Sequence, residues 1–190
     1  MPLLDHFGWV APFYEKFIQL REPEKTIRRL GLPVEGAILD AGGGTGRVSE
    51  SFRGQAGRIV VADLSVGMLR QAQRKNGLQV VNSHTEALPF ADASFERVVM
   101  VDALHHVCDH QETANELWRV LKPGGKILIE EPDVRTFPVK MIAIAEKLAL
   151  MRSHFLSPPR IEALFPGGAC QIRTELEDAN AYILIEKRVR

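Results

Sequence analysis

The sequence predicts an α/β fold: a doubly wound, Rossmann-like, mostly parallel seven-stranded sheet with one antiparallel strand near the C-terminal edge. Three observations carry this. Short apolar runs bounded by turn residues alternate with amphipathic segments between residues 34 and 131. Strands that are apolar throughout and separated by helices belong to a parallel sheet covered on both faces. A glycine-rich turn, Gly42–Gly46, follows the first of these runs. Finally, two strand-like segments near the C-terminus, Gln171–Glu177 and Tyr182–Glu186, lie too close together for a parallel crossover. They should therefore pair antiparallel.

The elements follow in order. Residues 11–20 (APFYEKFIQL) place aromatic and aliphatic side chains at helical spacing, and Glu22-Pro23 interrupts them. Pro23 suits the first position of a helix over 23–30, which Gly31 and Pro33 stop. Ala37–Leu39 reads as a buried first strand ending at Asp40, and the segment after Gly46 as a helix. Arg58–Ala62 is a second strand ending at Asp63, and Ser65 caps a helix reaching about Lys75. Asn76-Gly77 stops it, Leu78–Val81 is a third strand, and Arg97–Val101 a fourth ending at Asp102. A helix over Glu112–Leu121 leads through a type II turn at Pro123-Gly124 into a fifth strand, Lys126–Glu130.

A chain of 190 residues is enough for one domain with a sizeable core. The expected layout is a helical lid over 1–33, a ligand-binding core over 34–131, and an insertion plus strand pair over 132–190. Lys+Arg and Asp+Glu each number 24, so overall charge gives no reason to expect a nucleic acid or an anionic membrane as partner. The N-terminus lacks the pattern of a secretory leader. The apolar stretch Met141–Met151 is broken by Glu146 and Lys147 and is too short to span a bilayer. Cys108 and Cys170 have no metal or redox spacing. The expectation is a soluble, cytoplasmic, single-domain protein.

The glycine loop fits neither common phosphate motif. Counted from Gly42, the third position of G-x-G-x-x-G falls on Arg47; counted from Gly44, on Ser49. No Gly-Lys-Ser/Thr follows, as a P-loop would require. What remains is Asp-x-Gly-x-Gly-x-Gly. A carboxylate just before the loop repels a pyrophosphate and suits a cation. Asp63, at the end of the next strand, suits a ribose diol. Either could simply cap the following segment. Together they point to S-adenosylmethionine, a ligand with a ribose, a positive charge and no phosphate.

The segments LDAGGGTGR (39–47), VADLSVGML (61–69), EALPFADASFERVVM (86–100), ALHHV (103–107) and RVLKPGGKILI (119–129) occur together and in order. In these the chain resembles class I S-adenosylmethionine-dependent methyltransferases, and within them the group similar to ubiquinone/menaquinone biosynthesis methyltransferases. The resemblance implies that Gly42, Gly43, Gly44 and Gly46 pass close to the amino-acid part of the cofactor. It implies Asp40 near the methionyl amine, Asp63 on the ribose hydroxyls, and Leu64 and Met68 against the adenine. The stretch His84, Thr85 and Glu86 falls at the adenine amino group, where the family usually has an acid at the position of His84. Asp102 or Ala103 falls beside the methionyl part.

HHVCDH (105–110) has no recognised zinc spacing, and no metal is expected there. His105, His106 and Glu131 are candidate bases at the rim, though each could be a packed polar residue, and no catalytic residue is assigned. The implied reaction is in-line transfer of a methyl group to a small, partly apolar molecule, with the protein supplying alignment. Phe7, Trp9, Phe13, Tyr14 and Phe17 could line a lid; Phe137, Met141, Met151, Phe155 and Leu156 could form the opposite wall. Either set could be ordinary core. A nicotinamide oxidoreductase is disfavoured by the missing third glycine and by Asp40. A non-catalytic module with the same fold is the alternative. At this stage Asp63→Ala is expected to weaken cofactor binding and to leave the fold intact.

Overall fold

In the computed structural model, the described residues are 23–136, 139–140 and 153–189. The candidate lid aromatics, together with Phe137, Met141 and Met151, lie outside them. The first described element is helix α1, Pro23–Leu30, with proline at its start as the sequence predicts. Seven strands follow: β1 Val34–Ala41, β2 Ala56–Asp63, β3 Leu78–Asn82, β4 Phe95–Val101, β5 Leu121–Pro132, β6 Cys170–Glu177 and β7 Asn180–Lys187. Helices α2 (Val66–Ala72) and α3 (His110–Val120) connect β2 to β3 and β4 to β5. The short α4 (Pro158–Glu162) precedes β6.

The strands form one sheet in the order β3-β2-β1-β4-β5-β7-β6. Strands β1 to β5 pair parallel, and β7 runs antiparallel to both β5 and β6. There is thus one reversed strand, second from the edge, as expected. The alternation of side chains divides the core between two faces. Leu39, Val98, Met100 and Ile129 pack with Leu117 of α3 and Ile161 of α4. Ile38, Val99 and Leu128 pack on the other face with Leu30 of α1 and Phe52. Chain order reverses beside β1, whose neighbours are β2 and β4, and ligands in such sheets bind beyond the strand C-termini at that point.

One expected element is absent. The segment after Gly46 forms turns and a single 3-10 turn, Ser49–Phe52, instead of a helix. Gly46 is left-handed at φ +72°, and a Cβ there would lie 2.7 Å from Leu78 Cδ1. Gly54 is again left-handed, at φ +75°. Left-handed backbone at both glycines departs from right-handed helical geometry on either side of the segment. The Pro123-Gly124 turn falls inside β5, at the register shift opposite Phe95 and Arg97.

Candidate functional site

The carboxyl ends of β1, β2, β4 and β5 bring together most of the predicted residues. Asp40 ends β1 with only 1% of its surface exposed. Ser49 Oγ donates to its Oδ2 at 2.7 Å. Burial pushes the Asp40 carboxyl up to about 6, against the opposing pull of Ser49 and Arg47. A Cβ on Gly43 would stand 2.5 Å from Asp40 Cγ, so the loop backbone lies directly against this carboxyl group.

Asp63 ends β2 and ties two backbones together. Its Oδ2 accepts from Gly44 N–H at 2.9 Å and its Oδ1 from Ser65 N–H at 2.7 Å. Ser65 in turn caps α2, its Oγ accepting from Met68 N–H. Gly44 is left-handed at φ +55°. Among the described residues, a Cβ there would meet only Asp63 Oδ2, at 3.9 Å. No other described residue crowds that side of Gly44. Leu64 presents an exposed apolar surface next in sequence, whereas Met68 is buried.

The 84–86 stretch divides its roles. His84 is exposed, its Nδ1 3.9 Å from Glu86 Oε2. Thr85 is buried, its hydroxyl 3.3 Å from that of Thr113. Glu86 Oε1 accepts from the Cys108 and Asp109 N–H groups at 2.8 and 3.4 Å. The Glu86 carboxylate therefore holds the loop that enters α3.

After β4, Asp102 takes φ +51° and donates its N–H to Glu130 O at 3.0 Å. Arg47 Nη2 reaches its Oδ2 at 3.4 Å. Burial, then the charge of Glu131, raises the Asp102 carboxyl, against Arg47. Ala103 faces the glycine loop: a Cβ on Gly42 would lie 2.7 Å from Ala103 Cβ.

The rim expectation for His105 and Glu131 is overturned by their burial, at 5% and 3% exposure. They face each other at 2.6 Å, His105 Nδ1 to Glu131 Oε2. The reason is that Glu131 also accepts from the Ala103 and Leu104 N–H groups, which draws its carboxylate inward beneath the loop. The remainder of HHVCDH disperses. His110 Nε2 lies 3.1 Å from His154 O, and Asp109 caps α3. Among the described residues no group of three or more His, Cys, Asp or Glu side chains is arranged to hold a metal.

Arg47 and Glu130 were not singled out as site residues. A visible signal existed for Glu130, which ends an apolar run as Asp40, Asp63 and Asp102 do. It is buried, and its Oε1 accepts from Asn180 Nδ2 at 3.3 Å. Burial, then the charge of Asp102, pushes its carboxyl up to about 7.

These raised carboxyls set a pH dependence. Between the ordinary carboxylate range and their folded values, Asp40 and Glu130 keep protons that the unfolded chain has released. Their contribution to stability is present at low pH and is lost as pH rises through about 6 and about 7. Each loss is on the order of 3 kcal/mol, at about 1.4 kcal/mol per pH unit. Glu116 and Asp133, held low first by Arg119 and Arg135, titrate below this window. The ligand-free protein should therefore unfold at lower urea at pH 8 than at pH 5. Asp40→Asn should flatten that slope, and an unchanged slope would contradict the burial of an ionisable Asp40.

The fold and the site define a Rossmann-like protein with a glycine loop between two acidic strand ends. Residues 39–129 match the family described as methyltransferase domain. The resemblance to class I S-adenosylmethionine-dependent methyltransferases is upheld. The chain is 33% identical over 124 residues to the ubiquinone/menaquinone biosynthesis C-methyltransferase UbiE of Hahella chejuensis, covering 60% of this chain and 50% of that protein. It spans about half the length of the curated relatives it matches. Among solved structures, it shares the fold of an S-adenosylmethionine-dependent methyltransferase from Aquifex aeolicus, with a TM-score of 0.73 and 16% identity over 94% of this chain and 98% of that one. It shares the same fold with the [4+2]-cyclase SpnF, with a TM-score of 0.72 and 16% identity over 90% and 82%. The fold therefore does not by itself fix the reaction.

Proposed function

We propose that the chain binds S-adenosylmethionine at the carboxyl ends of β1, β2 and β4 and transfers its methyl group to a small, partly apolar molecule. The observation that carries this is the Asp63–Gly44 hydrogen bond, at a backbone that no other described residue crowds. It puts a carboxylate suited to a ribose diol next to a backbone that a ligand can approach closely. The residues present fit the cofactor. Asp63 would take the ribose, Leu64 the adenine face, and Gly42–Gly46 with Ala103 the methionyl part. His84 would stand at the adenine edge. Asp40, Asp102 and Glu130 stand at or just beyond the ends of β1, β4 and β5, and in their ionised forms would suit a cation and disfavour a phosphate. Met68, Thr85 and Glu86 would support the adenine side from behind.

When bound, the cofactor supplies a methyl group already activated by its sulfonium. The chain's own task is then to align the acceptor and to exclude water. Residues 34–131 would form the cofactor-binding core, and the flanking segments would cover the acceptor. Phe155 and Leu156 would belong to that acceptor wall. The name of the UbiE relative favours carbon as the methylated atom. The two free cysteines accord with work in the cytoplasm.

Two measurements test the reading. Calorimetry should show binding of S-adenosylhomocysteine and none of NAD. Incubation with methyl-labelled S-adenosylmethionine and a pool of small metabolites should transfer label to a low-mass product. Binding without transfer would favour a non-catalytic module with this fold. Absence of binding would sink the proposal.

A further inference from the structure

We propose that Glu131 is a positioning residue for the cofactor site, one that fixes the loop after β4 and, through His105, joins that loop to the segment at 153–155. The inference rests on the cofactor reading above and concerns a residue to which that reading gives no part. Glu131 sits on β5, yet its side chain serves another element altogether. Its Oε1 accepts from Ala103 N–H at 3.0 Å and Leu104 N–H at 2.7 Å. Its Oε2 stands 2.6 Å from His105 Nδ1. One buried carboxylate thus accepts from three consecutive residues. Buried N–H groups need acceptors, and this turn leaves two consecutive ones facing a single side chain.

The loop so held connects in two directions. Toward the cofactor side, Ala103 packs where Gly42 has no side chain. Toward the acceptor side, the His105 ring stacks on Phe155 with centroids 4.4 Å apart and planes 10° from parallel. His154 N–H donates to His105 O at 2.7 Å. Ser153 Oγ lies 3.5 Å from His106 Nδ1. The path Gly42–Ala103–Glu131–His105–Phe155 is continuous contact. A carboxylate can only accept, so Nδ1 of His105 carries the proton, and the tautomer is set by Glu131.

A glutamine separates the two roles. Its carbonyl oxygen can still accept from both backbone N–H groups, but its NH₂ donates toward His105. The ring must then accept at Nδ1 and carry its proton on Nε2. In folded Glu131→Ala, S-adenosylhomocysteine binding is expected to weaken about ten- to a hundredfold, since two buried donors lose their acceptor. In Glu131→Gln, affinity should stay within about threefold of wild type, as the loop keeps its acceptors. Nitrogen-15 NMR of His105 should nonetheless show the tautomer inverted. The tautomer reads the Glu131–His105 hydrogen bond, and the affinity of Glu131→Ala reads its link to the cofactor site.

Folded Glu131→Ala that binds at wild-type affinity would overturn the inference. So would Glu131→Gln that loses affinity as Glu131→Ala does, or that keeps the proton on Nδ1. If Glu131→Ala fails to fold, Glu131→Gln decides alone through its affinity and its tautomer. Wild-type protein that fails to bind S-adenosylhomocysteine sinks the cofactor reading instead, and the His105 tautomer still reports on the clamp.

Discussion

Gly44→Val is expected to remove measurable S-adenosylhomocysteine binding from protein that still folds. The substitution acts twice. Gly44 is left-handed at φ +55°, where a β-branched residue costs roughly 1–2 kcal/mol or more. That loss of stability would follow even if the loop served only the strand-to-loop turn. The second effect belongs to the site. Among the described residues, a Cβ at Gly44 meets no atom closer than Asp63 Oδ2 at 3.9 Å, so the valine methyls would extend into the space assigned to the ligand. Affinity should fall by more than about a hundredfold, equivalent to some 2.7 kcal/mol. Gly54→Val is the control. Gly54 is left-handed too, at φ +75°, and no atom of the described residues lies within 4 Å of its Cβ position. It should lose comparable stability and bind normally. Equal binding by the two variants would put the ligand somewhere other than this loop.

Asp63→Ala should come next in size, and the structure revises what it does. A charge-assisted bond to a ribose accounts for roughly 1.5–3 kcal/mol, about ten- to a hundredfold in affinity. Asp63 also accepts from Gly44 N–H and Ser65 N–H, so alanine strips an acceptor from the loop and from the start of α2. The fold should therefore weaken by about 1–3 kcal/mol as well. Affinity should fall to the lower end of that range or beyond. Asp63→Asn keeps one carbonyl oxygen and should lie between wild type and alanine in both readouts. Titration and thermal melting on the same preparations separate the two losses. An alanine variant with unchanged affinity would remove Asp63 from the site.

The sheet was legible because it rests on local signals. Apolar runs at 37–39, 58–62, 97–101 and 126–130 each became part of a strand, and the short gap before Asn180 forced the reversed pair. Ser65 acted as cap through its own chemistry, whereas the helix ends at Ala72, with Gln73 as its C-cap, well before the expected stop at Gly77. The glycine loop between two acidic strand ends was equally readable, since its residue types serve the backbone directly. The missing helix after Gly46 was not readable. Helical periodicity in Val48 and Phe52 competes there with the close approach of Gly46 to Leu78, a contact between segments far apart in sequence.

What the sequence determined by itself is the mostly parallel sheet and the strand ends at which Asp40, Asp63 and Asp102 stand. Periodicity and turn chemistry act over a few residues, so a single chain read in order reveals them. What only the tertiary structure decided is how each polar side chain is used. Glu86 holds the entry to α3, Arg47 turns to Asp102, and Glu131 leaves the rim to hold the loop after β4 and His105. A carboxylate at a strand end can face a ligand, water or a neighbouring backbone with equal local propensity. The choice falls to whichever buried donor lacks an acceptor, and that is known only once distant segments meet.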